Sequence, residues 1–203
     1  MENEPLFKIV AAAGLAALIL AFASSAHAAD ATEITRTGTN TTSQGVSGTS
    51  SSVTSRSPGG ANRQGSWTNA AGGTGTWQSE TTWNKDTRTA TITGSATKPD
   101  GAKTAWQATA TRTAPGAVSE KGMITQANGR QSTFTATDSK VASGSWERRE
   151  TITTADGKTI ERNVETSVAN GKGSRRVTTT LPDGRTLTRD ATFTQTVSPA
   201  PTS

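Results

Sequence analysis

Glycine-containing turn dipeptides recur along this chain at near-constant intervals. Gly72-Gly73, Asp100-Gly101, Asn128-Gly129, Asp156-Gly157 and Asp183-Gly184 are spaced by 28, 28, 28 and 27 residues. A second series, Lys85-Asp86, Pro115-Gly116, Ser143-Gly144 and Asn170-Gly171, falls between them, so the chain is punctuated about every 14 residues. Asn-Gly and Asp-Gly are strong short hairpin signals, because a type I′ turn needs positive φ at both central residues and these residue types tolerate it. The segments between turns then read as strands of about 10 to 12 residues, rich in Thr, Val, Ile and Trp. Pro99, Pro115 and Pro182 sit in or beside turns, where a missing N–H does no harm.

This pattern predicts an all-β fold: an antiparallel up-and-down β-meander of about nine long strands between Thr74 and Thr196, forming an open or curled single sheet. A closed β-barrel is the alternative. The hairpin repeat domain is expected over residues 66–197, with a disordered tail at 198–203. Residues 29–65 hold only Ile34, Val46 and Val53 as larger apolar side chains among Ser, Thr, Gly and Asn, and read as a flexible arm with at most one weak hairpin.

Strand residues alternate between faces. One face collects Ala90, Ile92, Trp106, Ala108, Ala110, Phe134, Ala136, Ile160, Val164, Leu187, Ala191 and Phe193, and the other carries Thr109, Thr111, Thr133, Thr135, Thr137, Thr192, Thr194 and Thr196. Arg148, Glu150, Arg162 and Arg189 interrupt the apolar face. Leu, Ile, Val and Phe total 13 between residues 66 and 196, a density below the ~20% that accompanies disorder. The regular turns argue for a folded sheet with a thin core, which must still bury one face by curling, folding over or pairing with another copy.

Residues 9–23 form an uncharged run of Ala, Leu, Ile, Val and Phe around Gly14. It follows Lys8 and leads to small residues and an A-x-A-like site at Ala26-His27-Ala28. Residues 1–28 therefore read as a secretory signal peptide cleaved after Ala28, which directs the chain to the periplasm or the extracellular space. The alternative is a membrane anchor formed by uncleaved residues 9–26.

The whole chain carries 21 Lys+Arg against 16 Asp+Glu and a net charge of +5; loss of Glu2, Glu4 and Lys8 raises this to +6. His27 is the one histidine, and Cys and Tyr are absent. Ser-His-Asp and Cys-His catalysis, and most zinc sites, need an imidazole that the processed chain lacks. Hence no enzyme activity, cofactor, metal site or small-molecule substrate is expected. Asp100, Asp156 and Asp183 are explained by their places before glycine in turns rather than as calcium ligands. Glu147 and Glu150 point to opposite faces of a strand, which is wrong for a glycosidic carboxylate pair. The tryptophans Trp67, Trp77, Trp83 and Trp106 read as core.

The phrases TTTLPDGRTLTRDATFTQT and TITTADGKTIERNVETSV resemble secreted proteobacterial Thr/Gly-rich repeat proteins built of T-x-T-x-P-x-G-x-T units, over roughly residues 66–197. The resemblance implies an exported β-rich repeat protein and carries no activity.

The leading functional reading is an exported structural or surface-interaction protein working through a threonine-rich sheet and self-associating through a sheet edge or its apolar face. The alternative is a basic binding module for anionic glycan or nucleic acid, with anionic polysaccharide or lipopolysaccharide as partner and Arg148, Arg149, Arg162, Arg175, Arg176, Arg185 and Arg189 as candidate polyanion-binding residues. An outer-membrane barrel and ice binding by the threonine lattice are minor alternatives. A mid-membrane Arg or Lys costs ~2 to 4 kcal/mol, and strand twist works against a flat ice-binding array.

Overall fold

The computed structural model describes residues 32–42 and 47–199. Twelve antiparallel strands follow one another around a closed barrel: β1 (Thr32–Thr42), β2 (Ser47–Ser57), β3 (Gly60–Thr68), β4 (Thr74–Asn84), β5 (Thr89–Thr97), β6 (Lys103–Ala114), β7 (Ala117–Thr125), β8 (Gln131–Ala142), β9 (Ser145–Thr153), β10 (Thr159–Ala169), β11 (Lys172–Thr180) and β12 (Thr186–Pro199). The expected signal peptide lies outside the described residues.

Four expectations about the fold are corrected. The sheet is closed rather than open, and it has twelve strands rather than nine. Closure runs through the segment expected to be a flexible arm: β1 pairs with β12 from Thr32↔Pro199 to Thr42↔Arg189, and with β2 on its other side. That arm lacks apolar residues because its inward positions are filled by Ser50, Ser52, Arg36, Arg56 and Arg63. Its strands are held by ladder hydrogen bonds on both sides. The tail also starts later than expected, since β12 extends to Pro199. Closure leaves no free sheet edge among the described strands and turns the apolar face inward. Both surfaces on which self-association was expected are therefore used within the barrel.

The long-period turns differ from the expected type I′ geometry. At Asp100-Gly101, only the glycine has positive φ (82°). Gly101 N–H donates to Lys98 O, and Lys98 N–H donates to Ala102 O. This is a type I turn closed by a left-handed glycine, the usual three-residue hairpin loop. Asp100 Oδ1 accepts from Ala102 N–H at 3.0 Å, confirming its turn role. Among the described turns, positive φ at two successive residues occurs at Asn170-Gly171 (51° and 73°), where a two-residue I′ turn does form.

Face parity holds throughout. β6 and β8 alternate exposed Thr109, Thr111, Thr133, Thr135 and Thr137 with buried Trp106, Ala108, Ala110, Phe134 and Ala136. The apolar face is the interior, and the threonine lattice is the outer surface. The core gathers Ile92, Trp106, Ile124, Phe134, Ile152 and Ile160, with Trp67, Trp77 and Trp83 packed against it. Bulky rings face glycines on the neighbouring strand: Trp77 opposite Gly65, Trp106 opposite Gly94, and Phe134 opposite Gly122. A side chain at any of these glycines would meet the ring. These pairs let a few aromatics cover much interior wall.

Candidate functional site

The interior has two halves. Along β5 to β10 the inward side chains are largely buried. Along β11, β12, β1, β2 and β3 the inward Arg175, Arg36, Arg56 and Arg63 are only half-buried and Arg189 is exposed. Those five strands carry no inward Asp or Glu among the described residues. The other inward positions there include the small residues Gly38, Gly48, Ser50, Ser52, Ala61 and Ala191.

The arginines occupy repeated places. Arg36, Arg63, Ile92, Glu120, Arg148 and Arg175 lie on alternate strands at spacings of 27, 29, 28, 28 and 27 residues. Arg63 faces Ser79, and Ser79 faces Gly94, two residues beyond Ile92. Barrel strands tilt by roughly 35 to 45°, and at ~4.8 Å between strands a step of about two residues per hairpin keeps equivalent residues near one height. One inward belt thus changes from arginine to isoleucine to glutamate and back to arginine around the wall.

Burial and mutual repulsion act on this belt. Arg63 is pushed down to about 9, by desolvation first and then by the charges of Arg56 and Arg36. Arg175 is likewise pushed down to about 9, by desolvation and then by Arg162, Arg189, Arg148 and Arg36. Desolvation and Arg56 lower Arg36 to about 10. All remain protonated at neutral pH, so this half stores like-charge repulsion that an anion would relieve. Arg36 Nε donates to Gln195 Oε1 at 2.8 Å, and its guanidinium lies 5.2 Å from the centre of the Phe193 ring.

Within the first half, along β7 to β10, is a buried ionic cluster. Arg148 Nη1 donates to Glu120 Oε2 at 2.6 Å and to Asp138 Oδ2 at 2.8 Å, while its Nη2 donates to Glu150 Oε1 at 3.0 Å. Arg162 Nη2 is 3.0 Å from Glu150 Oε2. Two guanidinium groups face three carboxylates, and burial raises Glu120 and Asp138 above the usual carboxylate range against the pull of Arg148.

The seven sequence candidates divide between the two faces. Arg148, Arg162, Arg175 and Arg189 point inward. Arg149, Arg176 and Arg185 are outside, paired with Glu147 at 2.9 Å, Asp190 at 2.8 Å and Asp183 at 2.6 Å. Glu147 and Glu150 do point to opposite faces, each beside an arginine. Sequence reasoning missed Arg36, Arg56 and Arg63, because they lie in the segment taken for an arm. The spacing of Arg36, Arg63 and Ile92 was the available signal. An open outer hollow of about 590 Å³ over β2 to β4 is lined by Ser51, Gln64, Ser66, Thr76, Gln78 and Lys103. It lies on the opposite side of the wall from the arginines.

No family model matches this sequence, and no curated protein matches it. Solved structures share its fold. A KdgM porin in complex with disordered oligogalacturonate is similar with a TM-score of 0.60 at 6% identity, covering 80% of this chain and 97% of that one. The KdgM porin itself gives 0.59 at 7% identity, with the same coverage. At such identities the likeness is one of fold: a twelve-strand antiparallel barrel.

Proposed function

We propose that this protein is an exported, non-enzymatic binding barrel that takes an anionic oligosaccharide against its arginine-lined inner wall. The observation that carries the reading is the set Arg36, Arg56, Arg63, Arg175 and Arg189 on five consecutive strands, half-buried or exposed and without an inward carboxylate among their described residues. A linear polyuronate offers the complement: repeated carboxylates for the guanidinium forks, and sugar faces for Phe193 and the small-residue wall. That a barrel of this fold is found with oligogalacturonate supports the choice of acidic glycan over nucleic acid.

The fold likeness also favours a second reading, an outer-membrane channel. The outer face speaks for water instead. Lys121, Arg149, Glu161, Glu165 and Arg176 point outward from strand interiors, amid exposed threonines. A porin presents an apolar band there. The barrel is read as water-surrounded, in the periplasm or outside the cell.

The test is calorimetric titration of the chain lacking residues 1–28 with oligogalacturonate at low and high salt. Binding weakened by salt, reduced tenfold or more by Arg175→Met and unchanged by Arg176→Ala is expected, because these neighbours face opposite sides of the wall. Equal losses in the two variants, or no binding, would refute the inner-wall reading. Spontaneous insertion of the folded protein into phospholipid vesicles would favour the channel.

A further inference from the structure

The two ends of the barrel differ in how their turns are held and in what they carry. At the end where β1 begins and β12 finishes, each of five turns is tied to the strand after its hairpin by a main-chain hydrogen bond. Trp83 N–H donates to Gly59 O at 2.8 Å, Arg112 N–H to Arg88 O at 3.2 Å, Lys140 N–H to Gly116 O at 2.8 Å, Val168 N–H to Gly144 O at 2.8 Å and Gln195 N–H to Gly171 O at 2.7 Å. These bonds lock neighbouring hairpins into one stepped rim. Twelve strands ~4.8 Å apart, tilted by roughly 40°, make that rim about 24 Å across.

The rim is cationic and its charges are unpaired. Lys85, Arg88, Arg112, Lys140 and Lys172 are exposed, and among the described residues none of them takes part in an ion pair. Of the described carboxylates in these turns or within three residues of this end of a strand, Glu147 is held by Arg149 at 2.9 Å, which leaves Glu33 and Asp86. At the opposite end the turn aspartates engage their cations: Arg185 lies 2.6 Å from Asp183, and Lys158 and Arg130 lie 3.5 and 3.9 Å from Asp156. The exposed large apolar side chains among the described residues, Val141 and Val197, also fall on the cationic rim, in the last three residues of β8 and β12. Neither the bare charge nor the bare valines contribute to packing within the barrel.

We infer that this end of the barrel docks on the headgroup surface of an anionic phospholipid bilayer. The five cations are spread from the β4–β5 turn to β11, over more than half of the rim. A single acidic chain would touch one arc of such a ring, whereas a planar anionic surface meets all of it at once. Lipid phosphates pair with the lysines and arginines, and Val141 and Val197 reach the boundary between headgroups and acyl chains. The docking is peripheral: the outer wall, with its threonines and charges, stays in water. It goes beyond the inner-wall reading and does not depend on it.

The experiment is co-sedimentation of the chain lacking residues 1–28, which retains all twelve strands, with vesicles of phosphatidylcholine alone or mixed with phosphatidylglycerol. Binding to the mixed vesicles that high salt reverses, and none to phosphatidylcholine alone, is expected. A basic residue near an anionic bilayer contributes about fivefold in partitioning, so Arg112→Ser, Lys140→Ser and Lys172→Ser together should lose tenfold or more. Lys98→Ser, Arg130→Ser and Lys158→Ser remove the same charge from the opposite end and should leave binding in place. The chain has no cysteine, so a polarity-sensitive dye on Val141→Cys reports one place; it should shift to the blue on mixed vesicles, and a dye on Asn128→Cys should not. Equal losses in the two triple variants, wild-type binding by the rim variant, or a blue shift at Asn128 in place of Val141 overturns the docking. Binding that high salt does not reverse also overturns it, in favour of insertion. Retention on heparin that the rim variant loses, without vesicle binding, overturns the bilayer in favour of a soluble polyanion.

Discussion

Replacing Arg148 by methionine tests the ionic cluster most directly. The substitution removes two donors' worth of contacts, Nη1 to Glu120 and Asp138 at 2.6 and 2.8 Å and Nη2 to Glu150 at 3.0 Å, from a site where each partner is at most 3% exposed. At an effective dielectric near 20, each contact is worth ~6 kcal/mol of gross attraction. Most of that is cancelled by the several kcal/mol needed to desolvate each ion. What remains on truncation is the cost of leaving charge buried and uncompensated, ~3 to 5 kcal/mol when one partner of a buried pair is removed. Glu150 keeps Arg162, whereas Glu120 and Asp138 lose the guanidinium they share. We therefore expect Arg148→Met to lower unfolding free energy by about 3 to 5 kcal/mol.

The internal repeat supplies the rescue. The positions one unit earlier than Glu120 and Asp138 are Ile92 and Ala110, both buried and apolar. The triple variant Arg148→Met, Glu120→Ile, Asp138→Ala should recover most of the loss, because well-packed apolar replacements of buried ion clusters are often neutral or better. Urea unfolding followed by tryptophan fluorescence measures both. Acid gives a second reading: the carboxylates left in Arg148→Met can take up protons, so its deficit should shrink as pH falls toward 4. A loss under ~1 kcal/mol, which is the range of an exposed pair, or a triple variant no more stable than the single one, would refute the reasoning.

Two further outcomes are expected. At Gly94, a methyl group would run into the Trp106 ring and lie 2.7 Å from the Gln78 main-chain oxygen; Gly94→Ala should cost ~1 to 3 kcal/mol, as overpacking does, with a red shift of tryptophan emission in the native state. Arg63 and Arg175 have folded values near 9, below the 12.5 of an unfolded arginine, so the folded form binds fewer protons above that point and stability from these groups rises as pH climbs through about 9. Urea midpoints between pH 7.5 and 10 should show this rise, smaller in Arg175→Met and flattened by saturating oligogalacturonate; an equal slope in wild type and variant would count against it.

The hairpin array and its face parity were legible because both are local. A turn needs particular residues at particular places, and a strand needs only alternation, so Asp100-Gly101, Asp156-Gly157 and the Thr109-Thr111 and Thr133-Thr135 runs announce themselves. β1 to β3 were not legible by the same route, because their inward positions include Arg36, Ser52 and Arg63, which read as polar on both faces. Pro58-Gly59, fourteen residues before Gly72-Gly73, continues the turn series and marks the missed hairpin. Closure was out of reach of any local signal, since β1 and β12 meet across nearly the whole chain. The arginine wall was half visible: Arg162 and Arg189 were recognised as interruptions of the apolar face, but only closure shows that this face becomes the barrel interior.

The same repeat positions build both halves. The series Trp77, Trp106, Phe134, Arg162 and Arg189 faces, in turn, Gly65, Gly94, Gly122, Glu150 and Val177. Three copies lay a ring over a glycine and fill the interior; the next places an ion pair there; the last leaves an arginine in water. Eight strands make a barrel that side chains just fill, while sixteen or more leave an aqueous channel. Twelve strands lie between, so a barrel of this width must hydrate part of its interior or pack it with unusually large side chains. This chain packs large side chains along β4 to β8 and sets half-buried and exposed arginines among small residues along β11 to β3. Fold stability therefore depends on the copies that keep the aromatic–glycine pair, and the proposed binding would fall to the copies that have lost it. If the proposed binding holds, substitutions of the partly exposed arginines along β11 to β3 should alter affinity with little effect on stability, whereas the same change at Trp106 or Phe134 would unfold the barrel.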